Sequence, residues 1–160
     1  MAPRKRGHTA VNWKSEAIDR LRRYQSMKTA VRIIPDEIQR LEMESTNIKA
    51  ARSDKLRVRS SVTNRDDALL NNMVRREELT WTLKLAKLWI KTTESALGEI
   101  SPEDKLVLHR LFIANERGNI ERLCQELGCE QSTVYRKRDQ ALYRFTIALY
   151  GFVETQFERL

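Results

Sequence analysis

The sequence predicts an all-α protein, a long antiparallel helical hairpin followed by a compact helix-turn-helix unit. Three observations carry that expectation. Only five Gly and three Pro punctuate 160 residues, and no run of alternating β-branched residues lies between turns. Two long stretches repeat apolar residues every three or four positions, the spacing of one helix face. Near the C-terminus, Ile120 to Phe145 (IERLCQELGCEQSTVYRKRDQALYRF) places a glycine between a short and a long amphipathic pattern.

Size and charge bound the function. The chain can hold one good core or two small ones, and 32% charged residues with 7% aromatic suit elongated helices. Net charge is +8, distributed unevenly: residues 1–60 carry 15 Lys/Arg against 7 Asp/Glu, and residues 61–160 carry 15 of each. A basic excess favours a polyanionic partner through counterion release, without distinguishing nucleic acid from an acidic membrane or protein. Cys124 and Cys129 with His8 and His109 cannot assemble a zinc site, so buried free thiols are expected and no metal. No stretch of about 18 apolar residues occurs, and MAPRKRGHTA has a basic start with no apolar segment after it, so a soluble, cytoplasmic protein is expected.

Taken in order, residues 1–10 read as a flexible basic arm around Arg4, Lys5 and Arg6, serving either solubility or a phosphate or minor-groove contact. The hairpin is expected over 11–98. Its first apolar seam runs Ala17, Leu21, Tyr24, Met27, Val31, Ile34, Ile38, Leu41 and Ile48, with Ser45 filling one slot. Pro35 removes a hydrogen bond and crowds the preceding turn at about 3 kcal/mol, which predicts a kink or short break. A polar loop is expected at about 53–66. A second helix from about Asp66 to Leu97 follows, with Leu69, Leu79, Leu83, Ala86, Ile90, Thr93 and Leu97 on a seam interrupted by Arg76, and Trp81 and Trp89 thickening one side. Whether the seams pack within one chain or between two is open.

Gly98 reads as the end of that helix, and residues 99–160 as the helix-turn-helix domain. Ser101-Pro102-Glu103-Asp104 starts a new helix: a capping hydroxyl, a proline in the first turn and two acids at the positive end of the dipole. Leu106, Leu108, Leu111, Phe112 and Ile113 lie on it, and Gly118 is expected to stop it. Asn119 is placed to cap a short helix carrying Leu123 and Leu127, and Gly128 sits where a sharp turn needs positive φ.

The following helix has two faces. Val134, Ala141, Phe145 and Leu149 recur at helical spacing, while Ser132, Arg136, Asp139 and Tyr143 lie within about 40° of the opposite side, with Tyr135 at its edge. This pattern predicts a helix that reads double-stranded DNA. Gln131, Ser132, Tyr135 and Arg136 are the base-reading candidates, Arg136 through a bidentate contact with guanine. Thr133, Lys137 and Arg138, with Arg4, Lys5 and Arg6, are the phosphate candidates. Asp139 repels the backbone unless it accepts from cytosine or pairs with Arg136 or Tyr143, so the reading surface ends near it. No catalytic set stands out. There is no glycine-rich phosphate loop and no Cys–His pair with a motif around it, so the chain reads as a non-enzyme without a cofactor.

Pro102 to Phe152 resembles the promoter-reading C-terminal region of sigma factors, with Cys124 as the small residue, Gly128 as the turn and Ala141-Leu142 as a late pair. The layout is similar to ArpU/RinA-type phage and prophage late-transcription regulators, whose recognition helix STVYRKRDQALYRF (Ser132 to Phe145) resembles. That resemblance implies a sigma-like unit, activation of phage late genes in a bacterial host and contact with host RNA polymerase. Two departures stand out: Glu130 replaces the usual Ser/Thr cap, and Lys137 stands where sigma factors often have an aliphatic residue. The alternative is a phage small terminase subunit recognising the packaging site, and a third reading is a coiled-coil adaptor with no DNA role.

Overall fold

A computed structural model of the chain describes residues 12–53 and 59–151. The described residues are all-helical, without strands, in five α-helices. These are α1 (Trp13–Ser53), α2 (Arg59–Glu99), α3 (Pro102–Leu108), α4 (Asn119–Leu127) and α5 (Gln131–Tyr150), with a π-helical turn, His109–Ile113, after α3. Two compact units result, Gln25–Lys91 and the remainder, so each long helix contributes to both.

Within Gln25–Lys91 the expected apolar seam residues are at least partly buried, from Met27 to Ile48 on α1 and from Leu69 to Ile90 on α2, whereas Trp81, expected to thicken the seam, is 62% exposed. The deeper positions are few. Leu41, Ala86, Ser45 and Asn72 are buried, because two helices enclose a stripe on one side only. Asn72 donates from Nδ2 to the Leu41 carbonyl at 2.9 Å and accepts from Arg76 Nε at 3.0 Å. Arg76 in turn lies 3.9 Å from Glu42. A seam with a satisfied polar layer is fixed in register at some cost in apolar burial.

Two boundary expectations fail here, each for a local reason, and of the kink or short break expected at Pro35 no break is present. α1 runs unbroken through Pro35, which sits on the exposed side. The lost bond to the Val31 carbonyl is tolerated because Ile34 and Ile38 keep packing on either side. Much of the loop expected at 53–66 is helix instead, since α1 reaches Ser53 and α2 already begins at Arg59. Asn64, Asp66 and Asp67 lie on a helix rather than in a turn, exposed to solvent where polar side chains cost little. Gly98 does not end α2, which continues to Glu99. The stop comes instead from Pro102, which drives Ser101 to an extended φ −61°, ψ 153°.

The other unit holds the chain's fully buried core. Leu21, Val107, Leu108, Leu123, Val134, Leu142 and Phe145 are 0% exposed. α1's first turns dock on the end of α2 through Arg20, whose Nε donates to Thr93 Oγ1 at 2.9 Å and Nη2 to Thr92 Oγ1 at 2.6 Å. Tyr24 donates to Glu94 at 2.6 Å. Burial, and then the neighbouring Glu94 carboxylate, push the Tyr24 phenol up to about 12. α3 begins as its sequence signals, with Ser101 Oγ accepting from Asp104 N–H at 3.1 Å and Pro102 in the first turn. The helical run does not reach Gly118: it ends at Ile113, and Ala114 leaves the helical region at φ −103°, ψ 58°.

No described helix is long and apolar enough to cross a membrane.

Candidate nucleic-acid interface

The geometry of this region begins one residue before the expected cap. Gly118, at φ 77°, precedes α4, and Asn119 is buried as the first helical residue rather than acting as its cap. Its Nδ2 donates backwards to the Arg110 carbonyl at 2.6 Å and reaches the Ala114 carbonyl at 3.5 Å. A π-helical turn leaves carbonyls without their next N–H partner, and Asn119 satisfies them. Asparagine was legible as a cap. Which helix it caps depends on the π-helical turn, which sequence periodicity does not signal.

α4 ends as predicted at Gly128, in the left-handed region at φ 61°, ψ 37°. The N–H groups of Gly128 and Cys129 both return to the Cys124 carbonyl, a tight glycine C-cap that turns the chain within three residues. Glu130 is extended, at φ −74°, ψ 159°, and makes no side-chain bond to the first turn of α5. The departure noted at Glu130 therefore leaves the start of α5 without a side-chain cap. Val107 of α3, Leu123 of α4 and Val134 of α5 meet in one cluster, with Cys124 and Cys129 packed against it. Both thiols are free and half-buried rather than enclosed.

With Val134 fixing the inner side, Gln131, Ser132, Tyr135 and Arg136 are exposed together on the first two turns of α5. Gln131 Nε2 donates to Tyr135 Oη at 3.1 Å, and the Arg138 guanidinium sits 5.2 Å from the Tyr135 ring centroid. Tyr135 is thus oriented from two sides while 40% exposed. Arg136 has no ion pair among the described residues. It extends into an open groove of about 670 Å³, walled by Trp13 and Tyr143 and edged by Lys14 and Arg144.

Four other positions sit differently from expectation. Tyr143 does not share the open face, because its ring meets Trp13 edge-on with centroids 6.0 Å apart. Asp139 has no ion pair with Arg136. It bonds Arg138 Nε at 2.9 Å and Lys14 at 2.9 Å. Burial pushes its carboxyl up, but the bonds from Lys14 and Arg138 outweigh this and hold it below its ordinary value. Lys137 and Arg138, expected on phosphate, are ion-paired to Glu103 and Asp139 respectively. Thr133 is half-buried at the edge. Arg4, Lys5 and Arg6, with the rest of the 1–10 arm, lie outside the described residues.

Sequence reasoning missed the start of α1 as a border of this face. Trp13 and Lys14 are more than a hundred residues from α5, and nothing local signals their contact. Asp104, 5% exposed, bonding Arg144 at 2.7 Å, is a second long-range pair of this kind. No group of three His, Cys, Asp or Glu that could hold a metal occurs among the described residues. Comparison with protein-family models, curated proteins and solved structures finds no match to this chain.

Proposed function

We propose that the chain is a non-enzymatic, sequence-specific DNA-binding regulator, an activator of phage or prophage late genes, in which α4 and α5 form a sigma-like helix-turn-helix and α5 enters the major groove. The observation that carries this reading is the exposed cluster Gln131, Ser132, Tyr135 and Arg136 on the first two turns of α5, held outward by burial of Val134. A recognition helix reads base edges with its N-terminal residues, and these four offer guanidinium, amide and hydroxyl groups there. Lys14, with Trp13 and Tyr143, bounds the surface, so reading is confined to a short stretch of bases. The long α1–α2 pair serves assembly or contact with host RNA polymerase.

Replacing Arg136 by Ala relaxes specificity at one base pair and costs about 1–3 kcal/mol on the cognate site. The measurement is a titration of parent and variant on the recovered site and on random duplex, at two ionic strengths. Equal behaviour of the two proteins on both DNAs defeats the assigned face, and binding that is absent at low salt defeats DNA recognition altogether. Recovery of bound DNA from cells fixes the role. Late promoters support the regulator, and a packaging site bound by a closed ring of subunits identifies a small terminase subunit instead.

A further inference from the structure

Within Gln25–Lys91, α2 carries a second apolar stripe that the seam with α1 does not use. Leu70, Val74, Trp81, Leu85 and Leu88 are 59, 47, 62, 49 and 58% exposed. At about 100° per residue they fall within roughly 60° of one another, on the side of α2 opposite the seam residue Leu83. Steps of three and four connect them, with Glu77 filling the one polar slot, which is the spacing by which one helix packs on another. A lone exposed leucine calls for no explanation. A continuous row of five on one helix face marks an interaction surface.

The charges along the stripe select its occupant. Asp66, Glu77, Lys84 and Lys91 lie along one flank, all exposed, acidic toward the start of α2 and basic toward its end. On the other flank Asp67 is exposed, Asn71 and Thr82 are neutral, and Glu78 lies 3.5 Å from Arg75 on its own helix. A helix that complements this face must present bases against Asp66 and Glu77 and acids against Lys84 and Lys91. The same α2 in reverse direction does so by symmetry, because antiparallel copies set this flank against itself, whereas a parallel copy turns it toward the other flank, where Lys84 and Lys91 meet no acid at their level. We propose that a second copy of this chain packs its α2 antiparallel on this stripe, about a two-fold axis near Thr80. The contact stands whether or not α5 reads DNA.

Sedimentation of the full chain at micromolar concentrations tests it, with thermal melts followed by circular dichroism to verify that each variant folds. The parent is expected to be a dimer and Leu85→Glu a folded monomer. Lys84→Glu sets two acids against each other and weakens the dimer roughly tenfold or more. Adding Glu77→Lys to Lys84→Glu inverts both halves of the pair and restores it. The proposal is overturned if the parent is monomeric, as it would be with residues 152–160 of the same chain covering the stripe. It is equally overturned by a dimer indifferent to Leu85→Glu and Lys84→Glu, by a charge swap that fails to restore association, or by an assembly larger than a dimer.

Discussion

The two compact units use the same ingredient, apolar residues every three or four positions, and reach different degrees of enclosure. Around α3, α4 and α5 that periodicity gives side chains with no exposed surface, such as Leu123, Val134 and Phe145. Along Gln25–Lys91 it gives a seam mostly half-buried, with Leu41 and Ala86 the apolar exceptions. The difference is geometric. A third helix closes a core from above, whereas two helices leave each seam residue one side open. Stability therefore belongs mainly to the C-terminal helices and their partners at the ends of α1 and α2. The long pair depends on its polar layer at Asn72 and, in our proposal, on a second copy.

Truncation at matched positions puts that contrast at risk. Leu123→Ala, in the enclosed cluster, is expected to cost about 3–4 kcal/mol, and Leu83→Ala, on the half-buried seam, about 1–2 kcal/mol. Urea unfolding followed by peptide-resolved hydrogen exchange checks both, because exchange assigns each loss to its own unit. Equal costs, or a larger loss for Leu83→Ala, would show that the seam is enclosed after all.

Alkaline pH separates the units by a smaller amount. Tyr24, buried against Glu94, has its phenol raised from 10.0 to about 12. A group whose folded value is raised contributes its full stability below the unfolded value, and that stability is lost as pH climbs through the folded value. The window is thus pH 10 to 12, and the loss is about 2–3 kcal/mol. Hydrogen exchange across that window should accelerate at the ends of α1 and α2 before it does in Gln25–Lys91, where the resolved shifts fall on the exposed pair Glu37 and Arg40. In Tyr24→Phe the loss shrinks to the part carried by Tyr150, whose phenol burial and Glu16 also raise.

What the sequence disclosed follows the same division between periodic and non-local information. Both seams, the Ser101–Pro102 helix start and the left-handed turn at Gly128 were legible, because each depends on residues within a few positions. Gly98 misled because a glycine signals a stop only where positive φ is needed, and Pro102 supplied the stop without it. Ser60, Ser61, Thr63 and Asn64 suggested a loop because their side chains suit turns, yet cooperative helix formation carries α2 back to Arg59. Of the candidate interface, the four outward residues followed from the position of Val134 alone. Its border, Trp13 on Tyr143 and Lys14 on Asp139, comes from the opposite end of the chain and no pattern foretells it.

That border yields the smallest expected effect and the most specific one. Asp139 is held below its ordinary 3.8, so its contribution is present above that pH and is lost as pH falls through the lowered value. Its side chain is 43% exposed and that of Lys14 is 36% exposed, so solvent screening limits the loss to less than about 1 kcal/mol. Asp139→Asn should therefore flatten only a small part of the acid limb of unfolding. Its larger consequence is electrostatic: it releases Lys14 and Arg138 and removes an acid from the groove that Arg136 lines. Duplex DNA should then bind more tightly without regard to sequence, with a steeper dependence on salt. If affinity and salt slope stay at parental values while the acid limb flattens, Asp139 is a packing contact that does not limit the face, and α5 presents its polar surface to something other than phosphate.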